Sequence, residues 1–299
     1  GCVSFDKYLQ NFLAVPYEKD GRVYDRYTDP EYIRWLKFFR QLGEEGYLAP
    51  DIFVDTRTQM SEKIAEGRYF CMLYQRTDLA DQEKGLYAND PEKIYIAVDG
   101  PKNSAGDDPV LPSTGISGWT VTLISKKCKD PERAIAFLDY LISEEGQKMI
   151  YLGVEGVTYD MVDGKPVIRE DVKQLLNTDR VEYDRQYGAD DCYWMLQNNV
   201  MQLEWQPELE EPLKQLAEWT YPYAKYTAQY DASPDDNTEL GQINTRVNRL
   251  WSETLRELLL APTEEDFDRI LENFQEERQD LGYDRVMEEQ TRRMEENKQ

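Results

Sequence analysis

Gly115–Ile150 reads GISGWTVTLISKKCKDPERAIAFLDYLISEEGQKMI, and the fold class turns on it. Trp119–Ser125 (WTVTLIS) is apolar, β-branched and uncharged, the composition of a buried strand. Lys126, Lys127 and Cys128 lead to Asp130-Pro131-Glu132, where Asp130 fits a helix N-cap and Pro131 the first helical position. Ala134, Ile135, Phe137, Leu138, Leu141 and Ile142 recur at helical spacing and predict one wide apolar face. Ser143-Glu144-Glu145-Gly146 breaks that helix, and Gln147–Leu152 starts a short second one. Strand, capped helix and second helix make a βα unit of an α/β lobe, with Ser117-Gly118-Trp119 at the mouth of the strand.

Upstream, Tyr17–Tyr27 predicts a hairpin around Lys19-Asp20-Gly21, and Asp29-Pro30-Glu31 caps a helix running to about Leu42. Thr58–Glu66 reads as a short helix, and Arg68–Tyr74 (RYFCMLY) and Lys93–Val98 (KIYIAV) as strands, the first burying Cys71. Ligands of open α/β sheets sit beyond the carboxyl ends of strands, which points to Tyr74, Gln75, Arg76 and Thr77. Downstream, Asp163-Gly164 predicts a tight turn and Val172–Leu176 a brief helix. Gly241–Leu260 is a strongly amphipathic helix, and Thr263 with Asp266 restarts another. The highly charged run to Gln299 is helical, with its last dozen residues expected to fray.

The segment K-x-P-E-x-A-x-x-F-L-x-Y-L-x-S-x-E-G-Q, from Lys129 to Gln147, closely resembles the first-lobe return segment of extracellular solute-binding proteins of ABC importers. That family takes up sugars and oligosaccharides. Gly153–Tyr159 (GVEGVTY) and Asp163-Gly164-Lys165-Pro166-Val167 are similar to its lipoprotein branch in Gram-positive bacteria. Asp29–Ile33 (DPEYI) and Glu45–Asp51 (EGYLAPD) match its second lobe. The resemblance implies an α/β, periplasmic-binding-protein-like type II fold with a helical C-terminus. Because no opening strand–helix–strand series of the first lobe precedes Asp29, it also implies a C-terminal fragment. Residues 1–104 then belong to the second lobe, 105–158 to the hinge crossing and first-lobe return segment, and 159–299 to the crossing back and the rest of the second lobe. A lobe missing part of its sheet is expected to expose strand edges and apolar faces.

The chain has 299 residues, 35 Lys and Arg against 59 Asp and Glu, a net charge of −24 and no histidine. Such acidity opposes binding to nucleic acid and to anionic membranes. The missing histidine removes Ser-His-Asp and Cys-His catalysis and His-ligated zinc. Cys2, Cys71, Cys128 and Cys192 are widely spaced without a CxxC. No signal peptide or transmembrane run is recognisable. Gly1-Cys2 is similar to the end of a lipoprotein signal, yet Val3–Val15 is not a polar tether. Cys2 therefore reads as an internal residue of a longer parent, and the anchor of the implied cell-surface lipoprotein lies outside this chain.

Sugar-binding clefts combine aromatic faces, which stack on pyranose rings, with charged and amide groups that meet hydroxyls. Trp119 stands where the chain is expected to cross between lobes, and Tyr74, Gln75 and Arg76 at a strand end. Glu155 lies in a glycine-flanked turn, and Tyr193 and Trp194 are adjacent aromatics in polar surroundings. Trp251 stands near where sugar-binding relatives place a stacking aromatic, but also on the apolar face of its own helix. Core packing, loop and solvated-turn roles compete with each of these assignments. Glu144-Glu145, Asp235-Asp236 and Glu264-Glu265-Asp266 sit at helix starts, breaks and turns, where acidic residues serve the helix dipole or solvent.

The expectation is a non-enzymatic substrate-binding component that captures a carbohydrate, an oligosaccharide in the first instance, by closing two lobes and hands it to the membrane permease subunits of an ABC importer. No cofactor, metal or nucleic-acid partner is implied, nor insertion of this segment into a membrane. A carbohydrate-active enzyme using paired carboxylates, or a helical protein-interaction scaffold, are the alternatives.

Overall fold

Local chemistry sets the first elements. α1 (Phe5–Phe12) turns Leu9 inward, and its buried Asp6 holds Arg26 in a 2.6 Å ion pair. Asp20 and Gly21, both at positive φ, let β1 (Glu18–Lys19) and β2 (Arg22–Val23) close a two-residue hairpin. Asp29 caps α2 (Pro30–Glu44) by accepting from the backbone N–H groups of Glu31 and Tyr32 at 2.9 Å, a device that contributes about 1 kcal/mol. Thr56 and Gln59 form a reciprocal capping box for α3 (Arg57–Ala65); α4 (Arg76–Asn89) and β3 (Leu111–Ser113) follow.

The computed structural model describes residues 5–48, 50–113, 121–188, 196, 198–202, 205, 209 and 211–299. It divides the chain into two compact units, one of Gly1–Thr114 with Leu209–Gln299 and one of Gly115–Glu208.

In the second unit, Asp130 caps α5 (Pro131–Ile142) and Ser143 caps α6 (Glu144–Tyr151). β4 (Tyr159–Val162) and β5 (Lys165–Ile168) form an antiparallel hairpin about Asp163-Gly164, again with both residues at positive φ. α7 (Glu170–Thr178), α8 (Arg180–Gln186) and α9 (Asn199–Gln202) complete the unit. Residues 159–208, expected with the second lobe, therefore keep company with 115–158. A buried side chain shows part of the reason: Gln147 donates to the carbonyls of Leu141 and Leu196 at 2.7 and 2.8 Å and accepts from the N–H of Asn198 at 2.9 Å.

The chain re-enters the first unit with α10 (Leu213–Thr220) and β6 (Ala224–Tyr226), which pairs in parallel with β3, Leu111 facing Ala224 and Ser113 facing Tyr226. α11 (Glu239–Leu259), α12 (Glu264–Asp280) and α13 (Tyr283–Asn297) close it. The main core joins both ends of the chain: Leu9, Leu13, Tyr27, Tyr32 and Leu36 pack with Trp251, Leu255, Leu258, Phe267 and Phe274. The tail expected to fray is instead held, because Met294 is fully buried and the Asn297 amide donates to the carbonyls of Gln229 and Asp231 at 3.2 Å.

Three expected strands do not form among the described residues. Residues 68–74, 93–98 and 121–125 join no ladder, and Phe70 and Cys71 are exposed. A strand forms only where another backbone meets it, and along 93–98 side chains take that place. The Gln215 amide donates to the Ala97 carbonyl at 2.9 Å and accepts from its N–H at 2.8 Å, while Glu83 accepts from the Tyr95 N–H at 2.9 Å. In the second unit α5 buries none of its residues, and Val121 and Leu123 are more than 80% exposed. That matches the expected exposure of apolar faces and corrects the expected burial of 121–125. No helix among the described residues is long and apolar enough to cross a membrane.

Candidate functional site

Tyr74, Gln75 and Arg76 stay together, but at the start of a helix, not at a strand end. Gln75 is the N-cap position of α4, and Arg76 is its first residue. The Gln75 amide donates to Thr77 Oγ1 at 2.6 Å and accepts from the Tyr8 hydroxyl at 3.5 Å. Tyr74 packs against the cluster of Ile64, Leu79 and Leu216, and burial pushes its phenol pKa up. Nearby, Arg57 pairs with Asp78 at 2.5 Å.

Glu155 belongs to the other unit. It is exposed on a turn that Thr158 ties down, accepting from the Val154 N–H at 2.7 Å and donating to the Leu152 carbonyl at 2.5 Å. Trp251 is 4% exposed, with Tyr27 and Phe274 ring centroids at 4.5 and 4.9 Å. This corrects its place among ligand-contact candidates, because the apolar face of α11 turns it into the core. Trp119, Tyr193 and Trp194 lie outside the described residues.

A further aromatic group lies in the first unit. Trp219, near the end of α10, stacks on Phe12 of α1 (centroids 6.1 Å, 24°) and meets Tyr223 at 5.1 Å. All three rings are half-buried. Their only signal in sequence is the four-residue spacing of Trp219 and Tyr223, one helical turn. Tyr223 leads directly into β6, which pairs with β3 where the chain leaves for the second unit.

Most members of these acidic runs are held by cations or caps. Glu144 pairs with Lys148, Asp235 with Arg293, and Glu264 with Lys37. The hydrogen bond from Lys148 lowers the Glu144 pKa; Thr263, with Arg269, does the same for Asp266. A glycosidase acid needs its pKa raised. Among the described residues no group of three Cys, Asp or Glu side chains is placed to hold a metal ion.

Comparison with known proteins gives a consistent relationship. The family model for bacterial extracellular solute-binding proteins matches residues 4–173, more than half of the chain. Lipoprotein LipO of Bacillus subtilis (strain 168) is 24% identical over 162 residues, which is 52% of this chain and 32% of that protein. The polygalacturonan/rhamnogalacturonan-binding protein YtcQ of the same organism is 23% identical over 159 residues, 52% of this chain and 31% of that protein. This chain thus matches about a third of the length of each. The crystal structure of alginate-binding protein AlgQ2 without calcium ion aligns with 97% of this chain and 62% of its own, at a TM-score of 0.60 and 18% identity. That likeness shows the fold, the helix-rich α/β architecture of type II periplasmic binding proteins. Taken with the family match, it settles the relationship: the chain belongs to the bacterial extracellular solute-binding protein family.

Proposed function

We propose that this chain is the ligand-recognising part of an extracellular binding protein that captures a carbohydrate and delivers it to the permease subunits of an ABC importer. The observation that carries the reading is the family match across residues 4–173. The names of two similar proteins, one for binding polygalacturonan and rhamnogalacturonan and one for binding alginate, support a saccharide ligand. Ion-paired carboxylates with lowered pKa values favour binding over glycoside hydrolysis.

Capture proceeds by closure of the two units, with the short parallel pair β3 and β6 beside the crossing as the element that bends. In this reading the ligand-contact candidates remain Tyr74, Gln75 and Arg76 of the first unit, Glu155 of the second, and Trp119, Tyr193 and Trp194. The protein is an extracellular lipoprotein, and its ligand leaves chemically unchanged.

The test is isothermal titration calorimetry of the chain with oligogalacturonates, alginate oligomers, and neutral cello- and malto-oligosaccharides. Saturable binding of one class is the expected result. Heat of dilution alone across the panel overturns the carbohydrate assignment.

A further inference from the structure

Residues 93–98 (KIYIAV) join no ladder, yet they alternate as a strand does. Tyr95 and Ala97 pack against the cluster of Ile64, Leu79 and Leu216, while Ile96 and Val98 are each 58% exposed. Among the described residues, two side chains hold the middle of this segment. The Gln215 amide of α10 bonds both backbone groups of Ala97, and Glu83 of α4 accepts from the Tyr95 N–H at 2.9 Å. The flanks are fixed separately. The Lys93 N–H donates to the Asp90 carbonyl at 2.9 Å, and past Val98 the Trp35 indole donates to the Lys102 carbonyl at 2.8 Å.

The two fastenings differ in kind, because an amide is neutral at every pH and a carboxyl is not. Glu83 lies one turn beyond Leu79 on the same face of α4, has no exposed surface, and leaves Oε2 without a partner. The cations on the elements packed around it are engaged elsewhere. On α3, Lys63 pairs with Asp51 and Asp55, and Arg57 with Asp78; Arg68, at the start of 68–74, pairs with Glu66. Lys214 of α10 pairs with Glu218, and Lys93 with Asp90. On α4 itself Lys84 is exposed, and Arg76 lies two turns away. The phenols of Tyr69, Tyr74 and Tyr95 share the cluster, and burial keeps them neutral by raising their pKa values. Burial likewise raises the Glu83 carboxyl above its ordinary value of 4.5, opposed by the Tyr95 N–H. A buried carboxylate with one hydrogen bond and no counter-charge is the costlier of its two forms. Turning out to water relieves that cost and gives up the bond to Tyr95.

We propose that Glu83 is a proton-operated latch: protonated, it seats 93–98 on α4, and ionised, it swings out and releases that segment. The closed form keeps a proton that the open form gives up in the ordinary carboxylate range. Opening therefore grows easier as pH rises through that range and levels off above the raised value. Past Val98 the same chain runs through loop 99–107 to β3 and the crossing into the second unit, so the latch acts on the segment that leads there.

Hydrogen–deuterium exchange of the intact chain tests this, read by mass spectrometry on peptides covering 93–98 from about pH 4 to about pH 8 and corrected for the intrinsic pH dependence of amide exchange. The expected result is a protection of 93–98 that falls about threefold or more across the range in the wild type, with peptides of α11 unchanged. Glu83→Gln keeps an acceptor for the Tyr95 N–H and removes the titration, so its protection stays level. Gln215→Ala lowers the protection of 93–98 at every pH and keeps the slope; with Glu83 untouched, it leaves the test decisive even where circular dichroism shows Glu83→Gln to be unfolded. A level wild-type profile, or an equal fall in Glu83→Gln, overturns the latch. A fall shared by the α11 peptides overturns it as well, since the whole fold would then be opening.

Discussion

Replacing Arg278 by methionine tests how the two ends of the chain are joined. Arg278 makes a bidentate pair with Asp25, Nη1 to Oδ1 at 3.0 Å and Nη2 to Oδ2 at 2.6 Å, with its side chain only 9% exposed. Its guanidinium also stands 5.1–5.5 Å from the ring centroids of Tyr27, Phe274 and Tyr283. Methionine keeps most of the stem that packs among those rings, so the cost of a cavity is small. What is lost is the partner of Asp25, whose remaining bond is from the Tyr27 N–H at 3.2 Å. Stranding one charge of a buried pair costs about 3–5 kcal/mol. Asp25 is 22% exposed, so water recovers part of that and the low end, about 3 kcal/mol, applies. Removing the stranded charge should then relieve much of the loss. The double variant Arg278→Met/Asp25→Asn is expected about 1 kcal/mol or more better than the sum of the singles. Urea unfolding followed by far-UV circular dichroism measures all four proteins. A loss below about 1 kcal/mol for Arg278→Met, or additive singles, would refute the view that this pair clamps residues 25–28 to α12.

The remaining expectations concern single side chains. Trp251→Ala should cost about 3–5 kcal/mol in thermal or chemical unfolding, the range for emptying a large core site, whereas an unchanged melting temperature would mean that the ring is not in the core. Gly100→Ala forces the Phe12 ring aside and should cost about 1–3 kcal/mol. Phe12→Leu in the same chain should return part of that loss, and its failure to do so would locate the clash elsewhere. Glu83 is buried, with Oε2 unpartnered, and burial raises its carboxyl pKa. The folded chain thus holds this proton where the unfolded chain has released it, so stability falls as pH rises through and above the ordinary carboxylate range. Glu83→Gln should therefore raise the melting temperature at pH 7, with the gain fading in acid; destabilisation at pH 7 that persists at low pH contradicts the assignment.

Much of the local structure was legible because it is decided by neighbours in sequence. Asp29, Asp130 and Thr263 cap their helices as their side chains allow, and Asp163-Gly164 turns the expected hairpin. The amphipathic reading of Gly241–Leu260 also holds, with Ile243, Val247 and Leu255 buried on one face of α11. Strand pairing was not legible, since it depends on what arrives from far along the chain. Ala97 meets the side chain of Gln215 where another backbone was expected. α4 was missed because its apolar residues are few and form no clear stripe, with Gly85 in its interior. Trp251 satisfied both a helix face and a family position, and only burial separates the two. Phe12 and Trp219 meet from far apart in the chain, a contact that no window of sequence contains.

The first unit's core has a consequence for how the protein is made. Leu9, Tyr27, Tyr32 and Leu36 are buried against Trp251, Leu255, Phe267 and Phe274, contributed by the last third of the sequence. A polypeptide emerging N-terminus first carries those early aromatic and aliphatic residues uncovered until synthesis has passed Phe274, while residues 115–208 are complete well before. Pairings of such separation form slowly and leave apolar surface open meanwhile. The uncovered interval therefore falls on Leu9–Leu36, and holding chaperones would find there the surface they grip.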